Sequence, residues 1–289
     1  MFDAISLSLI AAISGLIIGS LLNTVVYRLP RMLERQWAAH AAGHANPESS
    51  STSSSTLSST EINTPFNLWW PRSHCPHCQT TLTVRELIPL LSWLWQRGRC
   101  RHCGQAIDAR YPLVELGTAV AFVICVWRLP ADWTLPLAWI ATSALIALAV
   151  IDLETQYLPD ALTLPLMWLG LLASVLAEFL GFASLGSAAP VSPPMAIMGA
   201  ALGYLSLWSV YWIFRLATGK EGMGYGDFKL LAALGAWLGP LALLPVILMA
   251  SIAGALIGLG KIWLLGRSRH EPLAFGPYLA LAGWCVWLA

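Results

Sequence analysis

Residues 5–26 read ISLSLIAAISGLIIGSLLNTVV and contain no charged side chain. An α-helix needs about 20 mostly apolar residues to cross the hydrocarbon core of a bilayer. This stretch therefore predicts a membrane-spanning helix. Asp3 precedes it and Arg28 follows it, whereas a removable signal peptide has basic residues before a shorter apolar core. We therefore expect the helix to be retained.

The composition of the whole chain is typical of a membrane protein. Of its 289 residues, 57% are hydrophobic and 11% are charged, whereas a soluble globular domain carries roughly 25% charged residues. These figures exclude a disordered chain and a small disulfide-rich scaffold. The 16 Lys and Arg against 15 Asp and Glu leave a net charge of +1, which gives no basic excess for binding phosphates. We therefore expect membrane lipid, and not nucleic acid, around this protein.

Seven further apolar runs follow the first one. They are Leu113–Val126, Leu135–Ile151, Ala161–Leu180, Met195–Leu216, Phe228–Leu238, Leu241–Ile257 and Leu273–Leu288. Because helices satisfy their own backbone hydrogen bonds in lipid, the sequence predicts an all-α polytopic membrane protein with about eight transmembrane helices. Two runs, Phe228–Leu238 and Leu273–Leu288, are short. A re-entrant segment at the Gly239-Pro240 break would leave seven spans.

The lysines and arginines are distributed unevenly among the loops. The four segments that hold them are 27–112, 152–160, 217–227 and 261–272. All 16 basic residues except Arg128 lie within these segments or within two residues of them. Since positively charged loops stay on the cytoplasmic side of the membrane, we predict that these segments are cytoplasmic and that both termini are periplasmic.

The long first loop divides the chain into three predicted parts. Residues 1–27 form the first transmembrane helix, residues 28–112 form a cytoplasmic loop domain, and residues 113–289 form the remaining membrane-embedded helices. Within the loop, residues 46–59 read NPESSSTSSSTLSS. This segment has almost nothing apolar to bury, so we interpret it as a flexible insertion. A docking segment for partner proteins is the alternative.

Four of the six cysteines form two Cys-x2-Cys pairs in the loop, Cys75 with Cys78 and Cys100 with Cys103. Together they supply the four thiolates that tetrahedral zinc requires. A pair of redox disulfides or simple thiols are alternatives, although disulfides rarely persist in the reducing cytoplasm. Two histidines within the pairs could act as substitute ligands. The pattern predicts a structural zinc site, and the last two cysteines are interpreted as core residues.

Five carboxylates lie in or beside apolar runs, where an ionisable group is costly and therefore a functional candidate. Three of them have simple structural interpretations. Asp160 opens an apolar run and fits a helix N-cap. Glu178 lies near the end of the same run and can reach interfacial water. Glu115 follows Arg110 and can pair with it.

The other two, Asp152 and Asp227, end and begin apolar runs at the same predicted membrane face. They can be solvated loop-end charges or a proton relay in a transporter. They can also form a dyad that shares a proton, in which one carboxylate activates water while the other protonates a substrate carbonyl. Gly224 and Gly226 permit a close approach of the backbone to a substrate. Their spacing is not that of a phosphate-binding loop.

The sequence Gly224-Tyr-Gly-Asp227 matches the GxGD signature of membrane aspartic proteases, and several blocks resemble the bacterial type IV prepilin peptidases. The other blocks are Gly19–Pro30, the paired Cys-x2-Cys motifs, Arg110–Glu115, Ile151–Asp160, Gly219–Leu230 and Phe275–Tyr278. They occur in the order of the family, so the resemblance covers nearly the whole chain.

This resemblance implies a bifunctional enzyme of the bacterial inner membrane. Such enzymes cleave the leader peptide of type IV prepilins and of type II secretion pseudopilins at the cytoplasmic face. They then N-methylate the new N-terminal residue, usually phenylalanine, with S-adenosylmethionine as the methyl donor. The resemblance implies that Asp152 and Asp227 are catalytic and that the four loop cysteines bind zinc, but the residues that hold the methyl donor are not indicated. The alternatives are a proton-coupled transporter and a non-enzymatic assembly component.

Overall fold

The computed structural model describes residues 4–44, 66–180, 191–220, 223–265 and 274–289. Within these ranges the chain forms nine α-helices and no β-strand. The helices are α1 (Ala4–His44), α2 (Leu91–Trp95), α3 (Arg110–Arg128), α4 (Thr134–Thr155), α5 (Asp160–Phe179), α6 (Pro193–Thr218), α7 (Tyr225–Leu238), α8 (Leu243–Leu265) and α9 (Gly276–Leu288). The predicted all-α architecture is confirmed.

Eight of these helices correspond to the eight apolar runs of the sequence. Six of them, α1, α3, α4, α5, α6 and α8, are long and apolar enough to cross a membrane. The helices α7 and α9 have only 14 and 13 residues. At 1.5 Å per residue, each is shorter than the roughly 30 Å hydrocarbon core of a bilayer. The described residues therefore contain six helices of full spanning length, and eight spans stay a prediction.

The first helix is longer than the sequence predicted. The predicted span ends at Val26, whereas α1 continues through Pro30 to His44. A proline inside a helix removes one backbone hydrogen bond, but the following residues are strong helix formers such as Leu, Glu, Arg and Ala. The guanidinium of Arg31 also lies 3.5 Å from the ring centroid of Tyr27, one turn earlier. The helix therefore extends beyond the apolar run.

The described residues form two compact units, and the division falls inside α1 and α3. One unit comprises the residues up to Gly15 and those from Thr118 onward, and the other, the loop unit, comprises residues 16–117. The Ser-rich insertion at 46–59 lies outside the described residues. The proposed domain boundaries at residues 27 and 112 remain a prediction.

The centre of the larger unit is the short helix α7. It packs against α5, α6, α8 and α9, and its buried residues run almost without interruption from Asp227 to Ala236. A helix that is apolar on all sides is expected to be surrounded by other helices. The α6 backbone approaches α7 closely at Gly203, where an added Cβ would lie 2.6 Å from the carbonyl oxygen of Leu231. At its other end, α7 stops at Gly239, whose φ is +76°.

The loop unit is held together by a buried arginine at one side. Arg28 on α1 is 6% exposed and donates hydrogen bonds to the carbonyl oxygens of Asn67 (3.0 Å) and Pro71 (2.6 Å). Its buried guanidinium therefore forms hydrogen bonds with backbone carbonyl oxygens instead of with water. This contact fixes the segment that leads into the first Cys-x2-Cys pair.

Candidate functional site

The two aspartates of the predicted dyad come from different helices of the larger unit. Asp152 lies in the last turn of α4, and Asp227 lies in the first turn of α7. Both are buried, with 5% and 7% exposure. They are close enough for the charge of Asp152 to act on Asp227. The structure therefore brings together two carboxylates that are 75 residues apart in the sequence, and neither is a solvated loop-end charge.

The carboxylate of Asp152 is oriented by the backbone at the start of α9. Its Oδ2 accepts a hydrogen bond of 2.9 Å from the N–H of Gly276. A Cβ at position 276 would lie 2.7 Å from Oδ2 and 3.1 Å from Cδ1 of Leu158. A side chain does not fit there, so this contact requires glycine. Gly276 was not predicted as a site residue; a glycine next to Pro277 at the start of a helix was the available signal.

The glycines before Asp227 differ from each other in their surroundings. A Cβ at Gly226 would lie 2.7 Å from the Cβ of Leu158, so this glycine allows α7 to approach the chain that follows α4. Gly224 has an ordinary φ of −78°, and a Cβ there would lie 4.0 Å from Oδ2 of Asp227. Gly226 therefore permits close packing against Leu158, and the close approach to a substrate expected of these glycines stays a prediction. Leu158 thus touches both glycines that border the dyad, Gly226 and Gly276.

The three carboxylates with simple interpretations lie elsewhere. Asp160 is the first residue of α5 rather than its cap, and both of its oxygens accept hydrogen bonds of 2.7 Å from Nζ of Lys229. Glu178 is exposed near the end of α5. Glu115 accepts a hydrogen bond of 2.7 Å from the N–H of Leu90, a contact that the sequence did not indicate.

The four loop cysteines form a single cluster. All four Sγ atoms lie within 4.8 Å of one another, and those of Cys75 and Cys103 are 3.9 Å apart. Thiolates bound at about 2.3 Å around a tetrahedral zinc are about 3.8 Å apart. All four cysteines are free, so the structure contains a cluster that could hold a metal ion and no disulfide at these positions. The donor set therefore fits the predicted metal.

Two equivalent turns build this cluster. In one turn the N–H of Gln79 donates to the carbonyl of Cys75 (2.9 Å), and in the other the N–H of Gly104 donates to that of Cys100 (2.8 Å). The residue four positions after each first cysteine has a positive φ, 59° at Gln79 and 71° at Gly104. This conformation turns the chain back so that both cysteines of a pair face the same point.

Hydrogen bonds lower the pKa of two acidic side chains in and beside the cluster, Cys78 and Glu86. The hydroxyl and the backbone N–H of Thr80 lower the pKa of Cys78 to about 6, which favours the thiolate that binds metal. The backbone N–H and hydroxyl of Thr83 lower the pKa of Glu86 below its usual range. Nε2 of His102 lies 3.3 Å from Oε1 of Glu86. This histidine is therefore paired with a carboxylate, and the four cysteines are the group that could hold a metal ion.

The two cysteines outside the loop lie in helices, as expected of core residues. Cys125 on α3 is fully buried, and its Sγ lies 3.6 Å from Oγ1 of Thr142. Cys285 is half-buried on α9.

The sequence of the chain matches two known family models. Residues 13–129 match the bacterial peptidase A24 N-terminal domain, and residues 139–259 match the type IV leader peptidase family. A relative from Aeromonas hydrophila is 52% identical over 95% of this chain and 88% of its own length. The chain belongs to the type IV leader peptidase family. This membership confirms the resemblance found in the motifs, and no comparison supports a transporter.

Other members of the family are also closely similar. A relative from Pectobacterium carotovorum is 48% identical over 93% of this chain and 88% of its own length. One from Pseudomonas aeruginosa is 44% identical over 95% of this chain and 87% of its own length. All three are named prepilin leader peptidase/N-methyltransferase. No solved structure matches this chain.

Proposed function

We propose that this protein cleaves the leader peptide of type IV prepilins and of pseudopilins of type II secretion, and that Asp152 and Asp227 carry out the cleavage. The single observation that carries the proposal is the burial of these two carboxylates within electrostatic reach of each other at the ends of two helices. Two carboxylates that cannot both ionise freely share a proton, which is the state an aspartic protease uses.

In this mechanism the ionised aspartate takes a proton from water as the water attacks the scissile carbonyl carbon. The protonated aspartate donates its proton to the carbonyl oxygen. The hydrogen bond from Gly276 fixes the direction of one carboxylate, so both groups can address the same bond without rearrangement. The predicted supporting loop is instead a helix start: Gly224 is the N-cap of α7 and Gly226 lies in its first turn, directly before Asp227.

We further propose that Cys75, Cys78, Cys100 and Cys103 hold one structural zinc ion. Such a site cross-links the two turns of the loop and adds the free energy of metal binding to the stability of the fold. The loop has few buried apolar side chains around the cluster, so metal is the main candidate for holding it together.

The second proposed activity is N-methylation of the residue exposed by cleavage. S-adenosylmethionine would supply the methyl group. This proposal follows from the names of the relatives, each of which joins the peptidase to an N-methyltransferase.

The proposed location is the bacterial inner membrane, with residues 1–27 as the first span, residues 28–112 as a cytoplasmic domain and residues 113–289 as the protease helices. The asymmetry of the basic residues supports periplasmic termini. In this orientation both aspartates lie at the cytoplasmic face, where the basic leader of an inserted prepilin is held.

Co-expression with a prepilin, followed by mass measurement of the product, tests both activities at once. Removal of the leader and a further gain of one methyl group are expected. An unprocessed prepilin beside normally inserted enzyme would contradict the proposal and would favour a non-enzymatic assembly component.

A further inference from the structure

Besides the aspartate dyad, a second pair of buried polar side chains lies in the loop unit, one on α1 and one on α3. Glu115 is 8% exposed and Asn23 is 5% exposed. The carboxylate of Glu115 accepts hydrogen bonds from the N–H of Leu90 (2.7 Å) and from the side chain of Ser20. Neither contact brings a positive charge. Within the described ranges, no basic side chain forms an ion pair with Glu115.

Asn23 adds a second acceptor to the same region. Its Nδ2 donates a hydrogen bond of 3.0 Å to the carbonyl of Tyr111, one helical turn before Glu115. This fixes the amide and leaves Oδ1 buried with no hydrogen-bond partner among the residues described. A buried oxygen without a donor destabilises the fold. Ser20 and Asn23 share one face of α1, and Tyr111 and Glu115 share one face of α3, so the two acceptors lie in the same small region.

The chain next to Glu115 is strained. Leu90 has a φ of 60° and a ψ of −49°, and the N–H of Leu91 donates to the carbonyl of Pro89 at 2.6 Å. This is a γ-turn that residues other than glycine rarely adopt. It directs the N–H of Leu90 at the carboxylate. Backbone strain of this kind concentrates at ligand-binding and switch sites.

We propose that Glu115 and Oδ1 of Asn23 bind the free N-terminal amine that leader cleavage exposes, and hold it for methylation. The inference rests on the proposed function. A protonated amine supplies both a positive charge for Glu115 and an N–H donor for the oxygen of Asn23. A sulfonium group supplies the charge but has no N–H. Oδ1 of Asn23 therefore requires an N–H donor, which the terminal amine supplies and the sulfonium group does not.

The methyl-transfer step follows from this binding mode. Glu115 takes one proton from the ammonium group, which leaves an electron pair on nitrogen. Nitrogen forms a bond to the methyl carbon of S-adenosylmethionine while the carbon–sulfur bond breaks and its electron pair stays on sulfur. The products are an N-methylammonium group and an uncharged thioether. Glu115 then returns its proton to water.

Peptide binding to the full-length protein in detergent tests the inference. The probes are two apolar peptides that begin with phenylalanine, one with a free amine and one N-acetylated. The wild type should bind the free-amine peptide about tenfold more tightly or better, because a hydrogen bond to a charged group contributes about 1.5–3 kcal/mol. Glu115→Gln keeps an acceptor for Leu90 but loses the charge, so its preference should fall to about one. Glu178→Gln, an exposed carboxylate on α5, should keep the wild-type preference.

Zinc content and thermal unfolding show whether Glu115→Gln folds. If it does not fold, a second variant still tests the proposal. Asn23→Leu removes the unpartnered oxygen and should reduce the preference several-fold. A preference that is unchanged in both variants would overturn the proposal.

Binding of S-adenosylmethionine, compared with binding of its thioether product, isolates the contribution of the sulfonium charge, because both molecules carry the same α-ammonium group. Glu115→Gln should leave this ratio as in the wild type. If the ratio of the two affinities falls to about one in Glu115→Gln while the preference for the free-amine peptide is unchanged, Glu115 binds the sulfonium group and the proposal is overturned. Weaker binding of both molecules to Glu115→Gln, with an unchanged free-amine preference, would overturn the proposal in favour of that ammonium group. Wild-type protein that processes no prepilin would instead refute the proposed function itself.

Discussion

Gly276 is the residue on which the geometry of the dyad depends most directly. Its N–H points at Oδ2 of Asp152, and the absence of a side chain lets the start of α9 come within hydrogen-bond distance of the carboxylate. Asp227 is placed differently, by the first turn of a buried helix. Asp152 is therefore held by a contact with a distant segment, and Asp227 is held by its own helix. A substitution at the start of α9 should therefore displace Asp152 more than Asp227.

We predict that Asp152→Asn and Asp227→Asn each abolish leader cleavage while the protein still inserts into the membrane. An amide can neither take a proton from water nor donate one as an acid, so a lone remaining carboxylate cannot fill both roles. Asp160→Asn is the matched control, because its carboxylate pairs with Lys229 and not with the dyad. It should retain clear activity in the same prepilin assay. Near-normal processing by either dyad variant would show that the assignment is wrong.

We also predict that Gly276→Ala lowers the cleavage rate by about 10- to 100-fold, since a misplacement of about 1 Å can cost that much. The added methyl group would lie 2.7 Å from Oδ2 of Asp152 and would displace the carboxylate. Gly260→Ala on α8 is the control, because its Cβ would meet nothing within 4 Å. If the two variants have equal rates of prepilin cleavage, the contact with Gly276 does not position the dyad.

In each of the two cysteine turns, only the first cysteine is buried. Cys75 and Cys100 are buried, Cys78 is half-buried and Cys103 is exposed. The turns are short and depend on hydrogen bonds such as those of Gln79 and Gly104. Because so little apolar surface holds them, a bound metal should contribute much of their stability.

The purified protein should contain about one zinc per chain, and Cys75→Ser combined with Cys78→Ser should remove it, since two of the four thiolates are lost. Elemental analysis measures the metal, and limited proteolysis of the loop measures its loosening. Cys285→Ser, outside the cluster on α9, should keep the zinc of the wild type. Metal-free wild-type protein whose mass shows disulfides would contradict the prediction.

At the scale of the whole molecule, the features that could be predicted from sequence are those that depend on local patterns. Apolar runs located eight of the described helices, six of them long enough to cross a membrane, and the spacing of the cysteines identified their cluster. Contacts between distant residues could not be predicted in this way. Asp152 and Gly276 are 124 residues apart, and Asp160 and Lys229 are 69 apart. Such pairs depend on how helices pack, which hydropathy does not specify.

The Ser-rich insertion gives a prediction for the chain as a whole. Deleting residues 46–59 should leave cleavage nearly unchanged, because the segment has almost no apolar side chain to pack and because a change in loop length alters closure entropy only slowly. The measurement is the rate of prepilin cleavage in detergent. Replacing the segment with Gly and Ser residues of equal length separates loop length from sequence. Loss of cleavage in both variants, with zinc and expression intact, would show that the insertion presents the substrate.

The short length of α7 suggests how water reaches the active site of an enzyme in a bilayer. Hydrolysis consumes water, which the hydrocarbon interior excludes. With 14 residues, α7 measures about 21 Å, some 9 Å less than the hydrocarbon thickness. The longer helices α5, α6 and α8 pack around α7, so a recess between them, and not lipid, would lie beyond its ends. Because Asp227 occupies the first turn, this recess would carry the aqueous phase down to the scissile bond, and the enzyme would need no long water channel.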